Sequence, residues 1–365
     1  MSISTSVSGL AVTPGTPHSL HLTEIPLPGV GPNDVQIRVV DAGICGTDRE
    51  IIESKFGSAP AGSASLVIGH EVLGQVEAAG ENVVGLSTGD LVTATVRRPC
   101  GCPQCTAGAS DFCAELRYTE RGIIGLHGFM THRFVESAEH IIPVPADLKE
   151  IGVLIEPTSV AEKAWRVASG VQARIAGWRP RTAVVFGAGP IGLLTTLVLR
   201  AKNMDVYTIA RRPASEAPAA AIVAACGATY LSSREPDITS IKRQLPNVDL
   251  IVECSGSTEA VESAIQLLGI NGVLVLLSVT GGSRSATLPL DKINFDFVTG
   301  NKTMVGSVNS TGDDFRAAIA DLQEIETRWP GLAARLITHR LTSLNEAVGL
   351  MESTRGAIKA IVALG

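Results

Sequence analysis

The segment from Thr182 to Leu199 carries no charge, yet glycine falls at Gly187, Gly189 and Gly192 and proline at Pro190. An uncharged run of this length could cross a bilayer, but these four residues break it into two halves. Thr182–Phe186 reads as a buried strand and Ile191 onward as a helix. The spacing Gly187-x-Gly189-x-x-Gly192 gives each glycine a task. The first permits a tight turn, the second lets backbone approach a pyrophosphate, and the third lets helix and strand pack closely. Pro190 and Ile191 open the helix, whose unpaired N–H groups suit phosphate oxygens. The unit therefore predicts a doubly wound, parallel-sheet dinucleotide domain of the Rossmann kind.

The next strand ends at Ile209-Ala210-Arg211-Arg212. A carboxylate at that position would hold the ribose 2′-hydroxyl of NAD. Here two guanidinium groups stand instead, and these pair well with a 2′-phosphate. The expected cofactor is NADP, with NAD possible.

The strand–helix alternation continues through Val206–Ile209, Leu250–Cys254 and Gly272–Leu277, with helices at Ile191–Lys202, Ala217–Ala225 and Glu259–Leu268. Beyond about Gly306 it fades into two helices, Phe315–Leu322 and Leu344–Glu352, read as surface helices, and a closing strand at Ile358–Val362. The first half differs. Short apolar runs at Val35–Val40, Glu71–Glu77 and Leu91–Val96 are separated by Gly- and Pro-rich turns, as in a mostly antiparallel β domain. A helix follows Pro157, with Val160, Ala164 and Val167 on one face. The expected division is 1–180 for a catalytic domain, 181–306 for the cofactor domain and 307–365 for a segment returning to the first.

Two domains suit 365 residues. Only 4% of residues are aromatic, so the core must come from Val, Ile, Leu and Ala. The net charge of −6 argues against a nucleic-acid partner. Met1–Leu10 lacks the basic start of a secretory signal, so a cytoplasmic location and no membrane partner are expected. Of seven cysteines, Cys100, Cys102, Cys105 and Cys113 are crowded together, which in a reducing compartment signals zinc rather than disulfides. The two outside any cluster, Cys226 and Cys254, read as small apolar residues, and His127, His132 and His140 as structural histidines.

Three further segments carry metal-ligand types: Gly43-Ile44-Cys45-Gly46-Thr47-Asp48, Gly69-His70-Glu71 and Glu156-Pro157. Thiolate, imidazole and carboxylate together suit a catalytic zinc with an open position. Their separation along the chain leaves convergence undecided by spacing.

With the cysteine cluster and the glycine fingerprint, these motifs occur in the order found in medium-chain zinc alcohol dehydrogenases, and the chain resembles that family over essentially its whole length. It is most similar there to the archaeal glucose 1-dehydrogenases, through Cys45–Ile51, Arg97-Arg98, Asp111-Phe112-Cys113, Glu120, and Asn301-Lys302-Thr303 leading to Val308-Asn309. The resemblance implies a GroES-like, mostly-β catalytic domain beside the Rossmann domain. It implies Cys45, His70 and Glu156 as catalytic zinc ligands, with Glu71 near or exchanging. Thr47 would bond the reacting alcohol and Asp48 would orient the histidine. Glu120, Glu156 and Asn309 would contact a sugar, with Asn309 also near the cofactor. Cys100, Cys102, Cys105 and Cys113 would hold a structural zinc in a lobe at about 97–115. Three departures stand out. The first gap of that cluster is one residue short. Glu50 replaces a histidine common on the proton path. Val96 and Val160 stand where some relatives carry polar groups.

The implied activity is zinc-dependent hydride transfer from C1 of an aldose such as D-glucose to NADP, giving a lactone. The alternatives are a zinc polyol or secondary-alcohol dehydrogenase, or a non-catalytic NADPH-binding protein on the same fold. A homo-oligomer, dimer or tetramer, is expected by analogy, with the strand at Gly272–Leu277 continuing a sheet between subunits.

Overall fold

The computed structural model describes residues 6–234, 238–279, 285–353 and 357–365. They form two compact units: Met1–Glu156 with Asn309–Ile319 and Ile337–Gly365, and Pro157–Val308 with Ala320–Leu336.

The first unit is built on one large sheet. Its strands lie in the order Ile141–Pro143, Leu91–Ala94, Glu71–Ala79, Asp34–Ile44, Lys359–Ala363 and Ile337–Leu341, with Arg133–Ser137 also pairing Asp34–Ile44. The central strand shows why. In Asp34–Ile44, Val35, Ile37 and Val39 are buried while Gln36, Arg38 and Val40 are half-buried, so one face packs and the other meets solvent. From Asp41 every residue is buried, where the strand is covered on both faces and runs toward Cys45. Leu10, Ile37, Ile68, Phe129 and Met130 are fully buried in the core of this unit. Burial of each such side chain contributes on the order of 2–3 kcal/mol. Thr119–Arg121 joins Arg97–Arg98 and Gly125–Leu126 in a small separate sheet.

The second unit holds a six-stranded, fully parallel sheet. Its order is Thr229–Ser232, Asp205–Ala210, Thr182–Phe186, Leu250–Glu253, Val273–Leu276, Thr303–Gly306. Counted within the sheet this is 3-2-1-4-5-6, the doubly wound Rossmann order. The chain reverses its direction of winding between Thr182–Phe186 and Leu250–Glu253, so the crevice at the strand ends lies beside Gly187.

The structure corrects two sequence expectations. Val273–Leu276 is an interior strand, flanked on both sides, and the sheet edge is Thr303–Gly306. That edge strand, like Thr229–Ser232, is short and only partly buried, so it lacks the apolar run that makes a strand legible. The helix Gly312–Arg328 is not a surface helix throughout, because Phe315, Ala318, Leu322 and Ile325 are fully buried along one stripe. No helix among the described residues is long and apolar enough to cross a membrane.

Candidate metal and cofactor sites

Cys45, His70 and Glu71 bring one ligand atom each within 4.8 Å of one another. Cys45 caps the short helix Gly46–Ile52 at the end of the central strand. Asp48, fully buried, folds back from that helix and fixes both ligand-bearing loops. Its Oδ2 accepts the Cys45 N–H at 2.8 Å and its Oδ1 accepts the Gly69 N–H at 3.1 Å. The same Oδ1 lies 3.6 Å from Nδ1 of His70, a Coulombic rather than hydrogen-bonding distance. Thr47 Oγ1 is 3.8 Å from the Cys45 sulfur.

Glu71 faces Gly43 across the sheet, and a side chain on Gly43 would place its Cβ 1.8 Å from Glu71 Oε2. Through that gap Lys359, from the strand on the other side, reaches Glu71 and forms an ion pair. The Lys359 ammonium also donates to the Ile44 carbonyl at 3.0 Å.

This donor set fits a zinc ion. Nδ1 of His70 is buried without a hydrogen-bond partner. Burial opposes protonation of His70, but the Cys45 thiolate and Asp48 outweigh it and hold its pKa well above the ordinary histidine value. A pocket that stabilises positive charge on a buried imidazole suits a dication. Glu156, in the first turn of the helix Ile155–Gln172, is buried and exerts its charge on His70. Burial, joined by the nearby Glu71, pushes the Glu156 carboxyl up to about 7 despite His70. The sequence-based ligand set is Cys45, His70 and Glu156 with Glu71 near or exchanging; the mutually close donors are Cys45, His70 and Glu71, and Glu156 is outside that group.

The four clustered cysteines form a second donor group. Their sulfurs stand 3.5 Å (Cys100 and Cys113), 3.8 Å (Cys102 and Cys113) and 3.9 Å (Cys100 and Cys105) apart. Tetrahedral zinc with Zn–S bonds of about 2.3 Å has sulfur–sulfur edges of about 3.8 Å. The shortened first gap is accommodated by Gly101, whose φ is +83°. The Cys105 backbone N–H faces the Cys102 thiol and draws it down to about 6, toward the thiolate a metal requires.

Glu120 and Asn309 meet directly, Asn309 Nδ2 donating to Glu120 Oε1 at 2.9 Å. Arg97 donates to the same oxygen. Two residues beyond Glu120, Gly122 touches the loop that carries His70. A Cβ on Gly122 would lie 2.3 Å from the Gly69 carbonyl oxygen, and its φ is +71°. The Glu120 strand and the His70 loop are thus held in backbone contact.

In the second unit the fingerprint has the geometry its spacing demands. Gly187 has φ +102°, and a Cβ on Gly192 would lie 2.0 Å from the Gly187 carbonyl oxygen. Gly189 caps the helix Pro190–Ala201, and a Cβ there would meet no protein atom within 4 Å. That open space, in front of the helix N–H groups and Ile191, is what a bound phosphate would fill. Arg211 and Arg212 are exposed just past the strand Asp205–Ala210. Their backbone is tied down, Tyr230 donating to the Arg212 carbonyl at 2.9 Å and Ser232 to the Arg211 carbonyl at 3.3 Å.

A family model described as the glucose dehydrogenase C-terminus matches residues 149–364, and one described as the alcohol dehydrogenase GroES-like domain matches residues 31–146. The chain belongs to the glucose dehydrogenase family.

Within that family, glucose 1-dehydrogenase of Methanocella arvoryzae is 41% identical over 97% of this chain and 99% of its own length. Glucose 1-dehydrogenase of Thermoproteus tenax is 39% identical over 90% of this chain and 91% of its own. The structure of Haloferax mediterranei glucose dehydrogenase, in complex with NADP, Zn and gluconolactone, superimposes with a TM-score of 0.88 at 30% identity, covering 98% of this chain and 99% of that one.

Against this family background, three site residues escaped the sequence reading. Lys359 is a single charge in the apolar strand Lys359–Ala363, which was the available signal. Glu253 is a single carboxylate closing the apolar strand Leu250–Glu253; it is fully buried and accepts the Ser255 N–H at 2.7 Å and the Gly256 N–H at 3.2 Å, shaping the loop beside Gly187. Arg97 was noted only as part of an arginine pair. His127 is structural as expected, its Nδ1 accepting the Val67 N–H at 3.1 Å.

Proposed function

We propose that the chain is a zinc-dependent, NADP-linked glucose 1-dehydrogenase that oxidises C1 of D-glucose or a related aldose to the lactone. The observation that carries this reading is the proximity of Cys45, His70 and Glu71 within one compact unit that also joins Glu120 to Asn309. A metal site alone would serve any alcohol, whereas a carboxylate and an amide fixed together suit several adjacent hydroxyls. The relatives named glucose 1-dehydrogenase support the same substrate class.

Bound zinc supplies Lewis acidity that lowers the pKa of the sugar's C1 hydroxyl. Cys45, His70, Glu71 and Glu156 are the residues assigned to hold it. Asp48 keeps the Cys45 and His70 loops in place through its two backbone bonds. With NADP bound, the nicotinamide would supply the hydride acceptor for C1, Thr47 would carry the hydroxyl proton outward, and C1 would become the lactone carbonyl carbon. Glu50, in place of the family's common histidine, is the candidate acceptor further out. Glu120, Glu156 and Asn309 are assigned to the remaining sugar hydroxyls. Gly187, Gly189, Pro190, Ile191 and Gly192 are assigned to the pyrophosphate, and Arg211 and Arg212 to the 2′-phosphate.

Residues 1–180 are assigned to catalysis, 181–306 to the cofactor and 307–365 to a segment returning to the catalytic domain. All the described cysteines are free, which supports a reducing, cytoplasmic setting. The assembly proposed is a homodimer through the edge strand Thr303–Gly306. Its Met304 is 46% exposed, and Leu290, Phe295 and Val298 on the preceding helix are 66–68% exposed. An open strand edge beside exposed apolar side chains invites a second copy related by a twofold axis. Val298→Lys should yield monomers in sedimentation; an unchanged dimer would place the interface elsewhere.

Purified protein should contain zinc and reduce NADP with aldoses. Inert aldoses together with turnover of polyols or simple secondary alcohols would replace this reading with the corresponding dehydrogenase. Zinc-free protein that binds NADPH and turns over nothing would make it a binding protein.

A further inference from the structure

We infer that Arg97 is a positioning residue that couples the four-cysteine lobe to the sugar-binding pair Glu120 and Asn309, and that it fixes the Glu120 carboxylate with one oxygen occupied and the other left for the sugar. This rests on the proposed substrate role of those two residues.

Arg97 and Glu120 are register partners in the small sheet, so their side chains share one face. The Arg97 side chain is 3% exposed and that of Glu120 is 8% exposed. An arginine facing a carboxylate commonly engages both oxygens in parallel. Here Arg97 directs both contacts to Oε1, its Nε donating at 2.9 Å and its Nη2 forming the ion pair at 2.9 Å, and Asn309 Nδ2 adds a second hydrogen-bond donor to that oxygen, also at 2.9 Å. Oε1 is thereby saturated, and no described residue donates to Oε2. An ionised carboxylate accepts at both oxygens, so the capacity left for a ligand hydroxyl is concentrated on Oε2. Asn309 is locked at its other end as well, its Oδ1 accepting the Ser310 N–H at 2.7 Å with φ +62° at Asn309.

The remaining contacts of Arg97 reach the lobe. Its Nη1 donates to the Ser110 carbonyl at 3.2 Å, and Ser110 lies between Cys105 and Cys113. Its guanidinium carbon stacks 3.6 Å from the ring centre of Tyr118, which packs on the cysteine group. The planar fork thus has one edge on Glu120, one donor on the lobe backbone and one face on an aromatic ring. Lysine has the charge but neither the fork nor the planar face.

The test compares Arg97→Lys, Arg97→Ala, Tyr118→Leu and Asn309→Ala, each with zinc content, thermal midpoint, the KM values for glucose, NADP and a simple secondary alcohol, and lactone affinity by calorimetry. Arg97→Lys should raise the glucose KM and weaken lactone binding by roughly ten- to hundredfold. The NADP KM, the alcohol KM and the zinc content should stay near wild type. Tyr118→Leu should shift glucose in the same direction by less, and it keeps the question open to decision if Arg97→Ala does not fold. Glucose and alcohol KM values rising together would overturn the inference, as would unchanged lactone binding in folded Arg97→Lys. If Asn309→Ala also leaves glucose untouched, the substrate assignment itself has failed; if Asn309→Ala weakens glucose and Arg97→Lys does not, only the role of Arg97 has.

Discussion

Lys359 and Glu71 form an ion pair in which the two side chains expose 1% and 0% of their surface. They lie on strands at either side of Gly43, whose missing side chain leaves the passage between them. A buried charge stripped of its partner costs about 3–5 kcal/mol. Lys359→Met should therefore destabilise the zinc-free protein by about that amount. The loss should be smaller with zinc bound, because the metal then supplies the positive charge that Glu71 lacks. Urea unfolding with and without chelator measures the difference; equal losses in both states would show that Glu71 does not sense the metal.

The two donor groups predict about two zinc ions per chain. Cys105→Ser should remove one and lower the thermal midpoint, because the sulfurs of its lobe lie 3.5–3.9 Å apart and carry the loop between them. Cys45→Ala should abolish turnover while leaving the lobe metal, the fold and NADPH binding intact. Metal analysis of the two variants separates these outcomes, and turnover near wild type in Cys45→Ala would remove the zinc mechanism.

Arg211 and Arg212 predict the cofactor preference. A charge-assisted bond to a phosphate contributes roughly 1.5–3 kcal/mol, and each ~1.4 kcal/mol is tenfold. Because both side chains are exposed, screening erodes the upper end. The expected kcat/KM ratio of NADP over NAD is at least about tenfold at low salt. Replacing both arginines by alanine should erase most of that ratio through the NADP value alone. Equal use of the two cofactors by the unmodified enzyme would assign these side chains to solvent.

Glu136 predicts a pH dependence of stability. Burial pushes its carboxyl up, but Arg121 and Arg98 outweigh burial and hold its pKa below the ordinary carboxylate value. Arg121 Nε and Arg98 Nε donate to Oε2 at 2.9 and 3.2 Å. A depressed folded-state pKa means that the stabilisation is complete above the unfolded-state pKa and disappears as pH falls through the folded one. Glu136→Gln leaves two guanidinium groups without their counter-charge and should cost about 3–5 kcal/mol near pH 7. Its acid limb should be shallower, so that the two proteins converge at low pH. Parallel stability curves would show that Glu136 does not set the acid limb.

The sequence by itself determined the features whose partners are close along the chain. The Gly187–Gly192 turn is such a case, since a tight turn followed by a close-packed helix admits little but glycine at those points. The four-cysteine lobe is another, because short loops bring its thiols together at low entropic cost. Arg211 and Arg212 follow from their place at the end of the second cofactor strand. Tertiary structure alone decided the rest. Glu120 meets Asn309 across 189 positions and Lys359 meets Glu71 across 288. Neither meeting is encoded in local propensity. The second depends on Lys359–Ala363 and Glu71–Ala79 pairing to opposite sides of Asp34–Ile44, the first on Asn309 returning to the first compact unit. Strand order and register are set by burial of whole faces, and a one-residue slip would send Lys359 and Glu71 to opposite sides of the sheet.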